Sequence, residues 1–122
     1  MRRFAFIDLE TTGVSPSVDR ITEIGIVLVD GDSPIHEWSS LVDPGVAIPA
    51  DIQSLTGITN DMVRGAPSFA QLVPTIAGLL ENRIFVAHNA RFDYGFIKAE
   101  FRRCHDRFSA DVLCTVRLSR AL

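Results

Sequence analysis

The apolar residues in the first half of the chain follow a pattern typical of strands. From Phe4 to Glu10 the chain is apolar at nearly every position, which is typical of a strand that is buried on both faces in the middle of a sheet. Two further strands are predicted at Ile21–Val29 and Ile35–Val42, and Asp30-Gly31 between them favours a hairpin turn. The first half therefore predicts an antiparallel meander of three strands.

The second half changes to a helical period. Between Phe69 and Leu80 apolar residues recur at spacings of three and four, and Ser68 with Gln71 forms a capping-box pattern at the start. Pro74 lies inside this segment and is expected to kink the helix or delay its regular start. A short strand, a helix, another short strand and a last helix are then predicted at Ile84–Ala87, from about Ala90, around Ala110–Leu113 and from near Thr115. This order indicates an α/β domain with a mixed five-strand sheet and helices on both faces.

Composition adds one point about charge. The 122 residues, 47% hydrophobic and 22% charged, are expected to form one domain over residues 1–122, in the cytoplasm and without a membrane partner. The net charge is 12 − 15 = −3, but residues 1–61 hold ten acidic and three basic side chains, whereas residues 91–122 hold seven basic and four acidic ones. An acidic half and a basic half suit a metal site beside a phosphate-contacting surface, although an ordinary solvated surface explains the same asymmetry.

Asp8 and Glu10 place two carboxylates at the end of the first apolar strand. Residues two apart on a strand point to the same face, with Cα atoms roughly 6–7 Å apart. At about 5 Å and an effective dielectric constant near 20, the repulsion between the two charges is on the order of 3 kcal/mol. No Arg or Lys is close in sequence, so a divalent cation with oxygen ligands is the expected compensation. The alternative is that both side chains lie at a hydrated strand end and bind nothing.

Asp93 places a third carboxylate on an apolar helix face. On the helix that begins near Ala90 it lies between Phe96 and Ile97, where a solvated charge does not belong. Asn89 is a good N-cap candidate, so Asp93 falls in the first turn, and interaction with the helix dipole alone would also explain it. We expect the carboxylates of Asp8, Glu10 and Asp93 to converge on a shared site for cations. Six other charged or polar residues of this half have ordinary explanations: Glu100 is expected to pair with an arginine, His88 to be a hydrogen-bonded structural residue, and Arg91, Lys98, Arg102 and Arg103 to contact phosphates or solvent.

Two segments resemble motifs of a known enzyme family. Phe6-Ile7-Asp8-Leu9-Glu10-Thr11-Thr12-Gly13 resembles the first exonuclease motif of the DEDD (DnaQ-like) 3′–5′ exonucleases, close to the proofreading epsilon subunit of bacterial DNA polymerase III, and His88 to Phe96 resembles the second motif. Leu55 to Thr59 resembles the segment that cradles the terminal nucleotide, with Thr56-Gly57 where many members have His-Gly. Asp111 to Thr115 resembles the following strand-to-helix junction.

The resemblance implies a ribonuclease H-like fold and hydrolysis of the terminal phosphodiester bond at a 3′ end of DNA, in proofreading or repair. Implied cofactors are two divalent cations, Mg²⁺ or Mn²⁺, and implied ligands are Asp8, Glu10 and Asp93. Implied partners are a single-stranded or frayed 3′ end of DNA, with RNA left open, and a DNA polymerase or a fused nuclease or helicase module. The substrate-binding residues implied by the same motifs are Leu9, Thr11, Thr12, Gly13, Thr56, His88, Asn89 and Phe92.

One element of the family pattern has no match in these residues. Members carry a further His, the general base, and an Asp five positions later, the fourth metal ligand, on a helix beyond the junction. His105 and Asp111 are six apart and lie in a predicted loop and strand, so they do not correspond. We therefore expect residues 1–122 to be the N-terminal two thirds of the exonuclease domain. Two alternatives stay open: a catalytically incomplete module that binds nucleic acid or a partner, and an RNA-trimming exonuclease of the same fold.

Overall fold

The computed structural model describes residues 1–114, which form a mixed sheet of five strands in the order β3-β2-β1-β4-β5. Strands β1, β2 and β3 form an antiparallel meander, and β4 and β5 add to the free edge of β1 in parallel. The predicted sheet is therefore confirmed, with ends that differ by one or two residues. The strands are β1 Arg3–Thr11, β2 Ile21–Asp30, β3 Ser33–Leu41, β4 Ile84–Ala87 and β5 Val112–Cys114.

Four helices connect the strands, at α1 Ala50–Thr56, α2 Asn60–Val63, α3 Phe69–Leu80 and α4 Ala90–Arg103. The capping box of α3 is confirmed, since Ser68 Oγ accepts from the Gln71 amide and Gln71 Oε1 accepts from the Ser68 amide. Pro74 does not delay the helix, which begins at Phe69. Both Pro74 and Ala70, whose carbonyl the proline leaves without a helical donor, are solvent-exposed, so water can replace the missing bond. The helix predicted near Thr115 lies outside the described residues.

The two faces of the sheet differ in burial. Ala5, Ile7 and Leu9 of β1 are buried and share one core cluster with residues of α3 and α4, so these helices pack together on this face. The opposite face carries Phe6, which is 41% exposed. The expectation that β1 is buried on both faces is therefore wrong at Phe6. No helix within residues 1–114 is long and apolar enough to span a membrane.

Residues 44–67 form an excursion with a small core of its own. Its buried residues are Ile48, Ile58 and Val63, which are separate from the main cluster. The two ends of the excursion meet, because the Asp43 amide donates to the Pro67 carbonyl at 2.9 Å and Asp43 forms a β-bridge with Ser68. The short helices α1 and α2 are not predictable from the apolar pattern, because helices of 7 and 4 residues are too short to display an apolar period.

Replacing a buried isoleucine should reveal which face carries the core. We expect Ile24→Ala, at a fully buried position of β2, to lower the free energy of unfolding by roughly 2–5 kcal/mol because it opens a cavity. The matched control is Ile35→Ala in β3, where the side chain is 52% exposed and the loss should stay below about 1 kcal/mol. Urea unfolding of both variants measures the difference, and equal losses would contradict the assigned faces.

Candidate functional site

The site lies where β1 extends beyond the end of its parallel neighbour, β4. β1 pairs with β4 from Phe4 opposite Ile84 to Phe6 opposite Val86, and β4 ends at Ala87. β1 continues to Thr11, so its last residues extend past the end of β4. The chain leaves β4 and begins α4 at Ala90, which brings the first turn of α4 to the same edge of the sheet. This edge, at the carboxyl ends of the parallel strands, is where α/β sheets usually bind ligands.

Asp8 and Glu10 occupy this extension of β1 on the face opposite the helices. Asp8 is exposed and Glu10 is partly buried, whereas their neighbours Ile7 and Leu9 point into the core. The pKa of Glu10 is raised, first by partial burial and then by the negative charges of Asp8 and Glu23. The pair therefore has the shared face that the strand spacing predicts.

Asp93 lies in the first turn of α4 and is only 8% exposed. The pKa of Asp93 is raised to about 7, first by burial and then by the negative charges of Asp8 and Glu10. Asp93 is thus within electrostatic reach of both β1 carboxylates. Asn89 is the N-cap residue of α4, as predicted, although its side chain makes no capping hydrogen bond.

The chemistry of this donor set fits a hard divalent cation. The three residues offer carboxylate oxygens, the ligands that Mg²⁺ and Mn²⁺ prefer, and no lysine or arginine within residues 1–114 forms an ion pair with any of them. Among the same residues, no three His, Cys, Asp or Glu side chains are grouped tightly enough to form a ready metal cluster. The three carboxylates thus influence one another electrostatically without forming a closed ligand shell, and their convergence on a shared cation site stays a prediction. Repulsion between like charges favours this more open arrangement of the side chains.

Two residues of β2 belong to the site and were not singled out in the sequence. Glu23 lies directly opposite Glu10, and Gly25 lies directly opposite Asp8. Directly opposite residues of an antiparallel pair share a face, so Glu23 adds a fourth negative charge while Gly25 leaves open space beside Asp8. A Cβ at Gly25 would approach nothing closer than 3.9 Å, so the fold does not require glycine there. Only the strand register reveals these neighbours, and the sequence does not state it.

The implied substrate residues of the first motif are largely engaged within the protein. Leu9 is buried in the core cluster, so its side chain is directed away from the surface. Thr11 Oγ1 donates to the Gly13 carbonyl at 2.6 Å, and Thr12 Oγ1 donates to Asp19 at 3.2 Å. At Gly13 a Cβ would clash with the Asp19 carboxylate, which the Thr12 hydroxyl and the Ser15 amide hold in place, so a side chain at this position would displace it. These residues shape the turn after β1, and their contact with substrate remains a prediction.

The remaining implied substrate residues lie on two other segments. His88 and Asn89 are exposed in the connection between β4 and α4, and the ring of Phe92 lies 4.8 Å from that of Phe96. Thr56 ends α1, where its hydroxyl donates to the Ile52 carbonyl at 2.9 Å. The structure places each of these residues, and their role with substrate is not tested by it.

A hollow of about 1020 Å³ lies away from the three carboxylates, against the amino ends of β1 and β4 at Arg3 and Ile84. Its walls include Arg83 and Asp111 and none of the three carboxylates. The acidic edge is open and charged, so concavity is a poor guide to this site.

Replacing Asp93 should stabilise the cation-free protein at alkaline pH. The folded state holds the Asp93 proton up to about pH 7, whereas an unfolded aspartate releases it near its ordinary pKa of 3.8. The stability that this group contributes is therefore lost as the pH rises between these values. We expect Asp93→Asn to match the parent near pH 4 and to exceed it at pH 8 in EDTA by roughly 2–4 kcal/mol. Urea unfolding at both pH values measures this, with Asp32→Asn on the exposed β2–β3 turn as control. A difference that does not grow with pH would contradict the buried, repelled carboxyl.

Several known proteins are similar to this chain in sequence or in fold. Residues 5–122 match the RNase T family, described as exonuclease. The chain is 40% identical over 121 residues to the 3′–5′ exonuclease DinG of Bacillus subtilis, covering 98% of this chain and 13% of that protein. It is 37% identical over 120 residues to the DNA polymerase III subunit epsilon of Treponema pallidum, covering 98% and 56% respectively.

The fold is also found in a solved structure. The zinc-bound form of the E. coli exonuclease I complex with single-stranded DNA superposes with a TM-score of 0.90 at 21% identity, over 99% of this chain and 29% of that one. This likeness establishes the ribonuclease H-like fold. The chain spans less than two thirds of the length of each of these proteins. Because the family match extends from residue 5 to residue 122, the chain belongs to the RNase T family of exonucleases.

Proposed function

We propose that this domain hydrolyses the terminal phosphodiester bond at a 3′ end of DNA and releases nucleoside monophosphates, in proofreading or repair. One observation carries the proposal: a buried carboxyl, Asp93, lies within the field of two further carboxylates at the carboxyl edge of the sheet, and its pKa is raised to about 7. The repulsion among these carboxylates is unfavourable in the protein by itself. Bound cations would offset the negative charges and make their proximity favourable. The family membership supports the same reaction.

Members of this exonuclease family use divalent metal ions, and we propose two, Mg²⁺ or Mn²⁺, held by Asp8, Glu10 and Asp93. When bound, such a pair supplies a hydroxide nucleophile and stabilises the leaving 3′ oxygen. In the proposed arrangement Asp8, Glu10 and Asp93 would hold the ions, and Glu10 would also contact the 3′ hydroxyl. Gly25 keeps the space beside Asp8 free of a side chain.

The terminal nucleotide is proposed to lie between the turn after β1 and the end of α1. Leu55, next to Thr56, is 82% exposed, which leaves an apolar side chain available to contact a base. His88 and Asn89 are exposed beside the first turn of α4, where polar groups can meet the phosphate. Leu9, Thr11, Thr12, Gly13 and Phe92 would complete the pocket through backbone and ring contacts.

The names of similar proteins support the choice of partners. One is a subunit of DNA polymerase III, and the E. coli exonuclease I structure is a complex with single-stranded DNA. We therefore propose a single-stranded or frayed 3′ end of DNA as substrate, and a polymerase or a fused nuclease or helicase module as protein partner. The bacterial replication proteins among these relatives are the reason for proposing a cytoplasmic location.

Nuclease assays on the full-length protein test the reaction. We expect mononucleotides from a 3′-labelled single-stranded DNA with Mn²⁺, and a loss of more than about 100-fold in Asp8→Ala and Asp93→Asn, because loss of a direct ligand should exceed the 10–100-fold effect of an outer contact. Asp32→Asn serves as the control.

A matched RNA strand separates DNA from RNA trimming, and an inactive full-length protein that still retains DNA on a filter would favour a binding module. Full activity in the 122-residue chain would point to His88 or His105 as the base.

Cation binding can be measured without any substrate. Three carboxylates fill only part of a coordination shell, and Mg²⁺ keeps several waters, so we expect weak binding of Mn²⁺ that Asp8→Ala abolishes. Isothermal calorimetry compares the parent, Asp8→Ala and the exposed control Asp32→Asn at pH 8, where Asp93 is ionised. Equal Mn²⁺ binding in the parent and Asp8→Ala would contradict the assignment.

A further inference from the structure

Glu100 is a buried charge that the proposed chemistry does not use. It lies two helical turns after Asp93 on α4 and is 0% exposed. The Arg20 guanidinium makes a two-pronged (bidentate) contact with the Glu100 carboxylate. Its Nε donates to Oε1 at 2.9 Å and to Oε2 at 3.1 Å, and its Nη2 lies 2.8 Å from Oε1. The Ile21 amide donates to Oε2 at 3.1 Å. The arginine partner expected from the sequence is thus confirmed, and it comes from the turn that precedes β2.

A second arginine extends this contact along the turn. Arg103, one helical turn after Glu100, has Nη1 3.3 Å from Glu100 Oε1, and its Nη2 donates to the Pro16 carbonyl at 2.7 Å. Gly95 brings the helix backbone against the same segment, because a Cβ there would lie 3.5 Å from Pro16. Helix α4 therefore contacts residues 12–20 at three levels of its length.

Residues 12–20, the β1–β2 turn, are also cross-linked internally. The Thr12 amide donates to the Arg20 carbonyl at 2.8 Å, and the Arg20 amide donates to Thr12 Oγ1 at 3.0 Å. Asp19 accepts from the Ser15 amide at 3.0 Å. A displacement of Arg20 would therefore also displace Thr12, which follows Glu10 by two residues.

We infer that Glu100 is a positioning residue for the nuclease site: it fixes the β1–β2 turn, and with it the end of β1 that bears Asp8 and Glu10, relative to the helix that bears Asp93. The inference rests on the proposed function for its effect on catalysis, and on the contacts of Glu100 with Arg20 and Ile21 for its geometry.

Stability alone is a weak explanation for such a contact. Replacing a buried ion pair by apolar side chains of similar volume is often neutral or stabilising, because removal of charges from water opposes their attraction. A two-pronged arginine–carboxylate contact, by contrast, defines both distance and orientation. Precision matters here, since misplacing catalytic groups by about 1 Å can lower a rate about 100-fold.

The chain contains a matched control at the other end of the sheet. Arg83, 8% exposed, donates through Nη1 to Asp30 Oδ1 at 2.9 Å and to the Phe4 carbonyl at 3.0 Å. Asp30→Asn therefore also turns a carboxylate beside a buried arginine into an amide, but at the amino end of β1. Glu100→Gln and Asp30→Asn should be compared in the full-length protein, with Arg20→Lys as a second variant that keeps the charge and loses the two-pronged contact.

We expect Glu100→Gln to lower kcat about 10- to 100-fold with KM within about threefold of the parent, as for outer contacts of metal sites. Arg20→Lys should change kcat in the same direction, and Asp30→Asn should leave it within about twofold. Hydrogen exchange should be faster at the Thr12 and Ile21 amides in Glu100→Gln and unchanged in Asp30→Asn. Equal kcat in Glu100→Gln and Asp30→Asn, or unchanged exchange at both amides, would overturn the inference.

Failure of the proposed function is recognised separately. It appears as a parent protein without nuclease activity, and Mn²⁺ binding then decides about Glu100. Weaker Mn²⁺ binding by about tenfold in Glu100→Gln, with Asp30→Asn like the parent, would support the positioning role in an inactive protein. Unchanged or absent Mn²⁺ binding in all of them would overturn it.

Discussion

The parallel pairing of β1 with β4 stops before β1 does, and the rest of the site depends on this difference in length. The ladder runs from Phe4 to Phe6 on β1, and the strand then continues for five residues to Thr11. Beyond the ladder no strand within residues 1–114 pairs with β1 on that side, while the other side stays paired with β2 through Glu10 and Thr11. The extension is therefore hydrogen-bonded to a described strand on one side only. Helix α4 begins at that open flank, and this brings a carboxylate of the helix to those of the strand.

Helix α4 treats its two buried acids in opposite ways. Glu100 is surrounded by donors, two of them from Arg20, whereas Asp93 faces the like charges of Asp8 and Glu10. Both lie on the same side of the helix, seven residues apart. The paired acid, Glu100, attaches the helix to the β1–β2 turn. The repelled acid, Asp93, binds its proton tightly, and a bound cation can take the place of that proton. A single helix thus combines a fixed attachment with an electrostatically unfavourable end.

The sheet was largely predictable because its strands and long helices repeat apolar residues over many positions. The meander, α3 and α4 follow from such periods, and the three carboxylates stand out because each interrupts an apolar pattern. The rest needed three-dimensional information. Glu23 and Gly25 enter the site through strand register, α1 and α2 are too short to show a period, and Phe6 is apolar yet exposed. The cap at Asn89 depends on a side-chain rotamer that a residue type does not determine. Whether the eight implied substrate residues contact a nucleotide depends on a ligand, and they remain predictions.

The closed ends of residues 44–67 have a consequence for how domains of this kind can diversify. Asp43 and Pro67 meet through a backbone hydrogen bond, and Leu41 of β3 packs against the small core of this excursion. Lengthening a loop whose ends are already joined adds little entropic penalty, about 0.6 kcal/mol for each doubling of its length. The segment that carries Leu55 and Thr56 can therefore be exchanged, enlarged or reshaped during evolution while the acidic edge and its register stay as they are. The substrate contacts proposed for Leu55 and Thr56 thus lie on a segment that can change in length independently of the proposed cation ligands Asp8, Glu10 and Asp93.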